Sequence, residues 1–293
     1  MIRRPPRSTQ GVSSAASDVY KRQFKSSLLM TRNRNYQTRA IVLKYRPMGE
    51  SDRLITFFSS SFGRITGIAR GVRRPGSRLG GSLEPLNFAQ VSLARGRLFE
   101  TVSESVIIKS FNRIKSDLNR VALALYLAEL TDSFADDWSP NQKLYDLLEL
   151  TLSSLDKVEY SEYLIHFFEL KLLKFVGYDP EFGECVECRE NLLPATYPFA
   201  PDMGGVVCSD CQTDIEYYPM HISLGTMKIL RYLQRLEDDE ALLSGVSLPQ
   251  QPLAEVSNIL RNYLRFIAER QLKSTSFLDQ VTQMPLNGTN TPL

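Results

Sequence analysis

Four cysteines in two closely spaced pairs are the residues of this sequence whose spacing predicts chemistry most directly. Two residues separate Cys185 from Cys188, two separate Cys208 from Cys211, and 19 residues lie between the pairs. Two thiolates from each of two tight turns form the ligand set of a tetrahedral zinc site. Because four thiolates fill the coordination sphere, no position remains for water or substrate, and we predict a structural Zn²⁺ ion.

Disulfide bonds are the alternative chemistry for these cysteines. The chain has no apolar run of the roughly 18 residues that a membrane span needs, and its start lacks the apolar block and cleavage site of a secretion signal. We therefore expect a cytoplasmic protein whose thiols stay reduced. Three prolines and the Gly204–Gly205 pair between the cysteines predict a short β-rich knuckle over about residues 180–215, which the metal holds together.

The elements that must position this knuckle are helical. Apolar residues at helical spacing predict helices from about residue 117 onward, and the third of them is almost continuously apolar, as expected for a core helix. Ser116 and Ser139 are the predicted N-caps of the first two helices. His166 is expected to be a packed histidine, because no second His or Cys stands three or four residues away. The predicted helices are Asp117–Asp132, a second from Ser139, Ser161–Val176, Ser223–Leu236 and Pro252–Leu272.

The first part of the chain has a different pattern. Five short segments rich in β-branched and aromatic residues alternate with turn residues, which predicts a small closed or sandwiched sheet. In the third segment Arg64 and Thr66 alternate with Ile65 and Gly67, as expected for a strand with one buried face. The predicted strands are Thr38–Arg46, Arg53–Ser59, Arg64–Val72, Leu86–Arg95 and Arg97–Ile108.

The net charge of +2 conceals two halves of opposite sign. Residues 31–120 hold 17 Lys and Arg against 6 Asp and Glu, whereas residues 121–293 hold 12 against 26. The basic half predicts a surface for a polyanion, here a nucleic acid. Its arginine- and glycine-rich loop after the third strand can approach phosphates closely. The predicted nucleic-acid-binding residues are Arg39, Lys44, Arg46, Arg53, Arg64, Arg70, Arg73, Arg74, Arg78, Arg95 and Arg97.

Aromatic side chains lie among these charges, and on a small barrel they can stack on unpaired bases. Tyr45 and Phe62 are the favoured candidates because they lie at strand ends, while most other aromatic residues are expected in the core. In the acidic half, Lys171 and Lys174 beside Phe167 are candidates to receive an acidic peptide tail. Ordinary solvated lysines are the alternative there.

The segments Gly49-Glu50-Ser51-Asp52 and Phe62-Gly63-Arg64, with a four-cysteine knuckle beyond them, resemble the bacterial RecO family of recombination mediators over about residues 36–275. The resemblance implies an α+β protein with an N-terminal OB-fold five-stranded β-barrel followed by an α-helical domain carrying the zinc knuckle. It implies binding of single- and double-stranded DNA and strand annealing in the RecF repair pathway at the nucleoid. It also implies RecA loading with two partners, RecR and the C-terminal tail of single-strand-binding protein, without catalysis. The absence of a P-loop motif agrees with this.

Two other function classes stay open. A nucleic-acid-modifying enzyme needs clustered carboxylates or an open metal site with histidine ligands, whereas Asp136–Asp137 and Asp238–Glu240 are expected to be solvated helix ends. A zinc-ribbon transcription or translation factor shares the barrel and the metal, and a preference for RNA over unpaired DNA distinguishes it.

The expected organisation has two folded domains between unfolded ends. Residues 30–112 form the predicted nucleic-acid-binding OB-fold, and residues 113–282 form the helical domain with its knuckle. Residues 1–29 are expected to be a disordered arm or an artefactual extension that resembles translated adapter DNA, with Met30 as the natural start. Residues 283–293 are a predicted disordered tail, and no membrane partner is expected.

Overall fold

The structure is a computed structural model that describes residues 34–157, 163–212, 220–237 and 252–283. The described residues from Gln37 onward belong to one compact unit. Four of the predictions above lie outside the described residues: the extension 1–29, the tail from 284 onward, the helix start at Ser161 and the acidic group Asp238–Glu240.

Five strands close into a barrel, and this confirms the predicted fold of the first half. The order around the barrel is β1-β2-β3-β5-β4, and β3 and β5 are parallel while the other pairs that the register defines are antiparallel. The strands are β1 (Asn35–Met48), β2 (Asp52–Ser59), β3 (Gly63–Ala69), β4 (Phe88–Ala94) and β5 (Glu100–Lys109).

Strand alternation places two apolar layers on the two faces of the barrel wall. Val42 pairs with Phe57 and Phe57 with Ile65, and all three side chains are fully buried inside the barrel. Ile41 pairs with Phe58 on the opposite face, and these two are also fully buried. Directly paired residues share a face, so the outer face is covered here by another part of the chain. The cover is helical, because the Phe58 ring lies 6.0 Å from that of Tyr145.

The second half is mainly helical, as predicted. Apolar residues of its helices form one continuous core with the outer face of the barrel. No helix in the described part of the chain is long and apolar enough to span a membrane. The helices are α1 (Asn112–Ser116), α2 (Leu118–Phe134), α3 (Gln142–Leu155), α4 (Leu164–Phe175), α5 (Leu224–Arg235), α6 (Leu253–Ala268) and α7 (Lys273–Gln283).

Two predicted N-caps are wrong by one or two residues. The Asp117 carboxylate, not Ser116, accepts the backbone N–H groups of Asn119 and Arg120, because Ser116 still belongs to the short helix α1. Asn141, not Ser139, accepts the Leu144 N–H at the start of α3. Ser139 lies before the helix start, where its backbone packs against the barrel at Gly63.

Helix α7 was not predicted as a separate element, and a distant glutamate explains its start. The Glu129 carboxylate on α2 accepts the backbone N–H groups of Lys273 and Ser274, at 3.0 and 2.7 Å. Burial alone raises the pKa of Glu129, but these hydrogen bonds and that of the Ser274 hydroxyl lower it below its ordinary value of 4.5. The charged carboxylate therefore caps α7 across a separation that local sequence patterns do not reveal.

A buried carboxylate joins the barrel to the helices. Asp132 on α2 has a side chain only 6% exposed, and it forms an ion pair with Lys44 of β1. Arg64 of β3 lies 3.7 Å from it and donates a 2.5 Å hydrogen bond to its backbone carbonyl. Arg270, between α6 and α7, approaches it to 3.9 Å. Three cations from three separate segments therefore compensate one buried charge.

Backbone hydrogen bonds also join the barrel to the segment that follows α2. The Arg64 N–H donates to the Asp136 carbonyl, and the Trp138 N–H donates to the Arg64 carbonyl, so this segment pairs with the edge of β3. Gly63 has φ +69°, and a Cβ there would lie 2.1 Å from the Ser139 carbonyl oxygen. Asp137 accepts from Arg64 at 2.8 Å. Asp136 and Asp137 are exposed just after the end of α2, as predicted for a solvated helix end, and in addition this segment is bonded to β3.

We predict that Asp132→Asn destabilises the protein by roughly 2 kcal/mol, because the buried carboxylate loses its charge-assisted interactions with Lys44 and Arg64. Asp137→Asn is the matched control. The Asp137 side chain is 65% exposed, so its ion pair contributes under about 1 kcal/mol. Urea unfolding followed by circular dichroism measures both changes. Equal, small losses for the two variants would contradict the role given to Asp132.

Candidate nucleic-acid interface and metal centre

The four cysteine sulfurs converge on one point, as the spacing predicts. All four Sγ atoms lie within 4.8 Å of one another, and those of Cys188 and Cys208 are 3.7 Å apart. A tetrahedron with metal–sulfur bonds of about 2.3 Å has sulfur–sulfur edges of about 3.8 Å. A disulfide needs about 2.05 Å, and all four cysteines are free thiols. The four residues therefore fit a thiolate-bound metal ion.

Backbone groups around the Cys185 sulfur favour the thiolate that a metal requires. Burial raises the pKa of the Cys185 thiol, but hydrogen bonds from the backbone of Cys188, Cys208 and Glu187 lower it to about 6. The Cys208 N–H lies 3.3 Å from the Cys185 sulfur. Such donors compensate negative charge on sulfur whether or not a metal is bound.

The segment between the cysteine pairs is the predicted β-rich knuckle. Its strands β6 (Tyr197–Ala200) and β7 (Gly205–Val206) pair with each other, and β6 also pairs with β8 (Met220–Ile222). Gly204 has φ +72°, so it makes the predicted turn. A Cβ at Gly205 would lie 2.5 Å from the Val186 side chain, because the two cysteine-bearing turns are packed closely.

Helices α5 and α6 clamp this knuckle to the core. Arg231 on α5 donates two hydrogen bonds to the Phe182 carbonyl, at 2.7 and 2.5 Å. The Phe182 ring stacks on Phe199 of β6, and Phe199 meets Tyr263 of α6 edge to face at 5.3 Å. The four-cysteine cluster therefore lies in a knuckle that two helices contact. Four sulfurs around a bound metal ion would leave it no open position.

On the barrel, the arginine-rich loop has a fixed base. The Asp52 carboxylate at the start of β2 accepts the Gly71 N–H at 2.7 Å, and the Ser51 carbonyl in the β1–β2 turn accepts the Arg73 N–H at 2.9 Å. Gly71 has φ +63°, which favours glycine. The sequence segment Gly49-Glu50-Ser51-Asp52 thus holds the loop against the turn. Four exposed arginines project from this end: Arg70, Arg73, Arg74 and Arg78.

Two further predicted residues lie at the same end of the barrel. Arg46 is exposed and pairs with Leu54, which pairs with Ile68 just before the loop. Arg53 is half-buried: its guanidinium lies 3.9 Å from the centre of the Tyr45 ring and donates to Glu84 at 2.8 Å. Tyr45, a predicted stacking residue, therefore has Arg53 on one of its faces. Arg46 and the loop arginines are the unburied cations here.

The remaining predicted residues lie elsewhere on the barrel. Lys44 and Arg64 turn toward Asp132 and hold the helical part, as described above. Arg95 and Arg97 are in the loop between β4 and β5, where Arg97 is exposed and the Arg95 guanidinium lies 5.6 Å from the centre of the Trp138 ring. Arg39 is exposed on β1. DNA contact by any of these residues stays a prediction.

In the helical core, His166 is packed as predicted. Its Nδ1 lies 2.7 Å from the buried Glu169 carboxylate and its Nε2 lies 3.0 Å from the Ser257 hydroxyl. Tyr126 donates to the same carboxylate, and burial, with the charge of Glu169, raises the pKa of Tyr126 well above its ordinary value. The prediction of a basic surface at Lys171 and Phe167 is wrong, because both side chains are buried and only Lys174 is exposed.

Comparison with known proteins agrees with this architecture. A family model described as recombination protein O N terminal matches residues 30–111, which contain the barrel. A second, recombination protein O C terminal, matches residues 115–276, which contain the helices and all four cysteines. The chain belongs to the RecO family. The first matched region ends at residue 111 and the second begins at residue 115, so Asp132 on α2 lies in the second region.

Curated RecO proteins are similar along nearly their whole length. The chain is 36% identical over 257 residues to DNA repair protein RecO of Dehalococcoides mccartyi, which covers 88% of this chain and 100% of that protein. It is 36% identical over 256 residues to that of Desulforamulus reducens, covering 87% and 98%. With the protein of Syntrophus aciditrophicus it shares 30% identity over 265 residues, covering 88% and 100%.

We predict that the purified protein binds about one metal ion per chain through the four thiolates. Removal of the metal with a chelator should lower the melting temperature, because the knuckle then loses the link between its two turns. Cys211→Ser should bind metal more weakly and melt several degrees lower. Ser209→Ala, at an exposed position between Cys208 and Cys211, is the control and should change neither value. Metal-free protein that melts at the same temperature would contradict the site.

Proposed function

We propose that this chain is a DNA repair protein that binds and anneals single-stranded DNA as a recombination mediator of the RecF pathway. Its membership of the RecO family supports a role in DNA repair and recombination. The observation that carries the DNA-binding part is the group of exposed arginines at the turn end of the barrel. Residues 30–112 are the proposed DNA-binding domain, and residues 113–282 are the proposed helical domain.

The fixed arginine loop at the turn end of the barrel supports the proposal of phosphate binding. The loop backbone is fixed by Asp52 and Ser51, so its arginines lose less conformational freedom on binding than those of a free loop. Arginine forks bind phosphate oxygens in pairs, and each neutralised phosphate releases counterions into solution. Arg46 is a further exposed cation at the same end of the barrel, and Arg39 and Arg97 are exposed elsewhere on it. The proposed DNA path crosses the barrel between the arginine-rich loop after β3 and the loop between β4 and β5.

We propose a mediator without catalytic activity. Among the described residues, His166 is buried in a hydrogen-bonded network, and the cysteine site has no open coordination position. The proposed metal is Zn²⁺, since four thiolates in a tetrahedral arrangement are its usual structural site. The zinc ion ties the two turns of the knuckle together and so supports α5 and α6.

The proposed partners follow from the RecO family. They are RecR and the acidic C-terminal tail of single-strand-binding protein, with which the chain helps RecA to load on DNA at the nucleoid. An RNA-binding zinc-ribbon factor is the second candidate function, because a basic barrel and a zinc knuckle also suit RNA. Membership of the RecO family supports DNA, rather than RNA, as the nucleic acid that this chain binds.

A salt series tests the role of the arginine loop. We predict that binding of a single-stranded oligonucleotide weakens steeply with salt, and that replacing Arg73, Arg74 and Arg78 by alanine lowers the slope by about 2, or 0.7 per phosphate contact. The control replaces Lys143, Lys228 and Arg265, three exposed cations of the helical part, and should leave the slope unchanged. Fluorescence anisotropy measures both. An unchanged slope in the loop variant removes the loop from the DNA site, and tighter binding to RNA than to DNA favours the second candidate.

The partner proposal is tested with the same oligonucleotides in an annealing assay. Complementary strands coated with single-strand-binding protein should anneal when this chain is added. Strands coated with the same protein lacking its acidic tail should anneal more slowly. Equal rates with both would contradict recognition of the tail.

A further inference from the structure

The only tryptophan of the sequence stands on the surface where the helical part meets the barrel. Trp138 is 38% exposed and follows α2, yet its backbone N–H donates to Arg64 of β3 at 3.1 Å. Its φ of +61° is unusual for a bulky residue. The helical part thereby adds a large aromatic ring to the edge of the barrel.

The neighbours of this ring are aromatic and cationic. Phe62, at the β2–β3 turn, lies 6.2 Å away with its plane inclined by 71°. The Arg95 guanidinium lies 5.6 Å from the ring centre. Arg97 and Leu98, in the same loop as Arg95, are exposed. An aromatic face beside guanidinium groups is the chemistry that binds a nucleobase together with its phosphate.

Compared with the aromatic residues predicted from the sequence, Trp138 offers the larger ring at a similar exposure, 38% against 36% for Tyr45. The guanidinium of Arg53 lies 3.9 Å from the centre of the Tyr45 ring, whereas that of Arg95 lies 5.6 Å from the centre of the Trp138 ring, so the Tyr45 face is the more closely covered. The Trp138 ring packs against Phe62, and its backbone is hydrogen-bonded to β3. A preorganised ring loses little entropy when a base stacks on it.

We propose that Trp138 is a base-stacking residue, so that the helical part supplies one side of the DNA site while the barrel arginines bind the phosphates. The proposal rests on the DNA binding proposed above and extends it to a residue outside the barrel. It assigns Trp138 to unpaired bases, because the bases of an intact duplex do not offer a face for stacking. The buried joint at Asp132 and Gly63 then positions the ring relative to the arginine loop.

Intrinsic fluorescence tests this directly, since all tryptophan emission of the protein comes from Trp138. Titration with an oligothymidylate should cause a saturable loss of emission, with a midpoint equal to that obtained from the anisotropy of the labelled oligonucleotide. A blunt-ended duplex should raise anisotropy at low salt without quenching. Binding seen by anisotropy with unchanged emission would overturn the role of Trp138 and leave the proposed DNA binding intact. Absence of anisotropy change at low salt would instead overturn the proposed function, and this inference with it.

Substitutions of Trp138 provide a second test of the proposal. Trp138→Ala should weaken binding of the oligothymidylate about tenfold, while Trp138→Phe, which keeps an aromatic face, should recover most of the affinity. Phe266→Ala removes an exposed aromatic ring on α6 and is the matched control with no expected effect. Duplex binding by Trp138→Ala should stay at the wild-type level, which shows that the variant is folded. Wild-type affinity of Trp138→Ala for the oligothymidylate contradicts the proposal.

Discussion

The arrangement of this protein depends on the neutralisation of one buried carboxylate. Asp132 on α2 is enclosed by Lys44 and Arg64 from the barrel and by Arg270 from the segment before α7. An uncompensated carboxylate at such a position is costly, so the three segments must come together when the chain folds. Beside this contact, Ser139 packs closely against Gly63, and the residues after α2 pair with β3. The barrel and the helices are therefore parts of one folded body, and Trp138 owes its position to this contact.

This constraint divides the basic residues of the first half into two groups. Lys44, Arg64 and Arg53 have acidic partners within the chain, so they contribute little to an external potential. The cations at the turn end project into solvent from a loop with a fixed base. The excess of positive charge in the sequence thus overstates the charge of the surface. The exposed positive charge includes a group formed by Arg46 and the arginine loop, where we propose that phosphates bind.

Much of the fold was predictable because its signals are local. Strand alternation indicated the barrel, apolar stripes indicated the main helices, and the spacing of the cysteines indicated a site that the sulfur positions fit. The joint was not predictable, because Lys44 and Asp132 are 88 residues apart, and nothing in the pattern around either residue marks a partner. The same holds for Glu129, which caps α7 from 145 residues away at Ser274. Lys171 was misplaced because a lysine in a helix can have a buried stem and still look like a surface residue in a sequence.

Hydrogen–deuterium exchange of the full chain, with and without a single-stranded oligonucleotide, is the most direct test of the central claim that DNA lies across the barrel and its joint with the helices. DNA should protect the backbone around residues 49–53, 70–81, 95–99 and 136–139, which come from both halves of the sequence. The knuckle at residues 197–212 should exchange at the same rate in both states. Protection confined to the knuckle and α5, with no change in the barrel loops, would contradict the account.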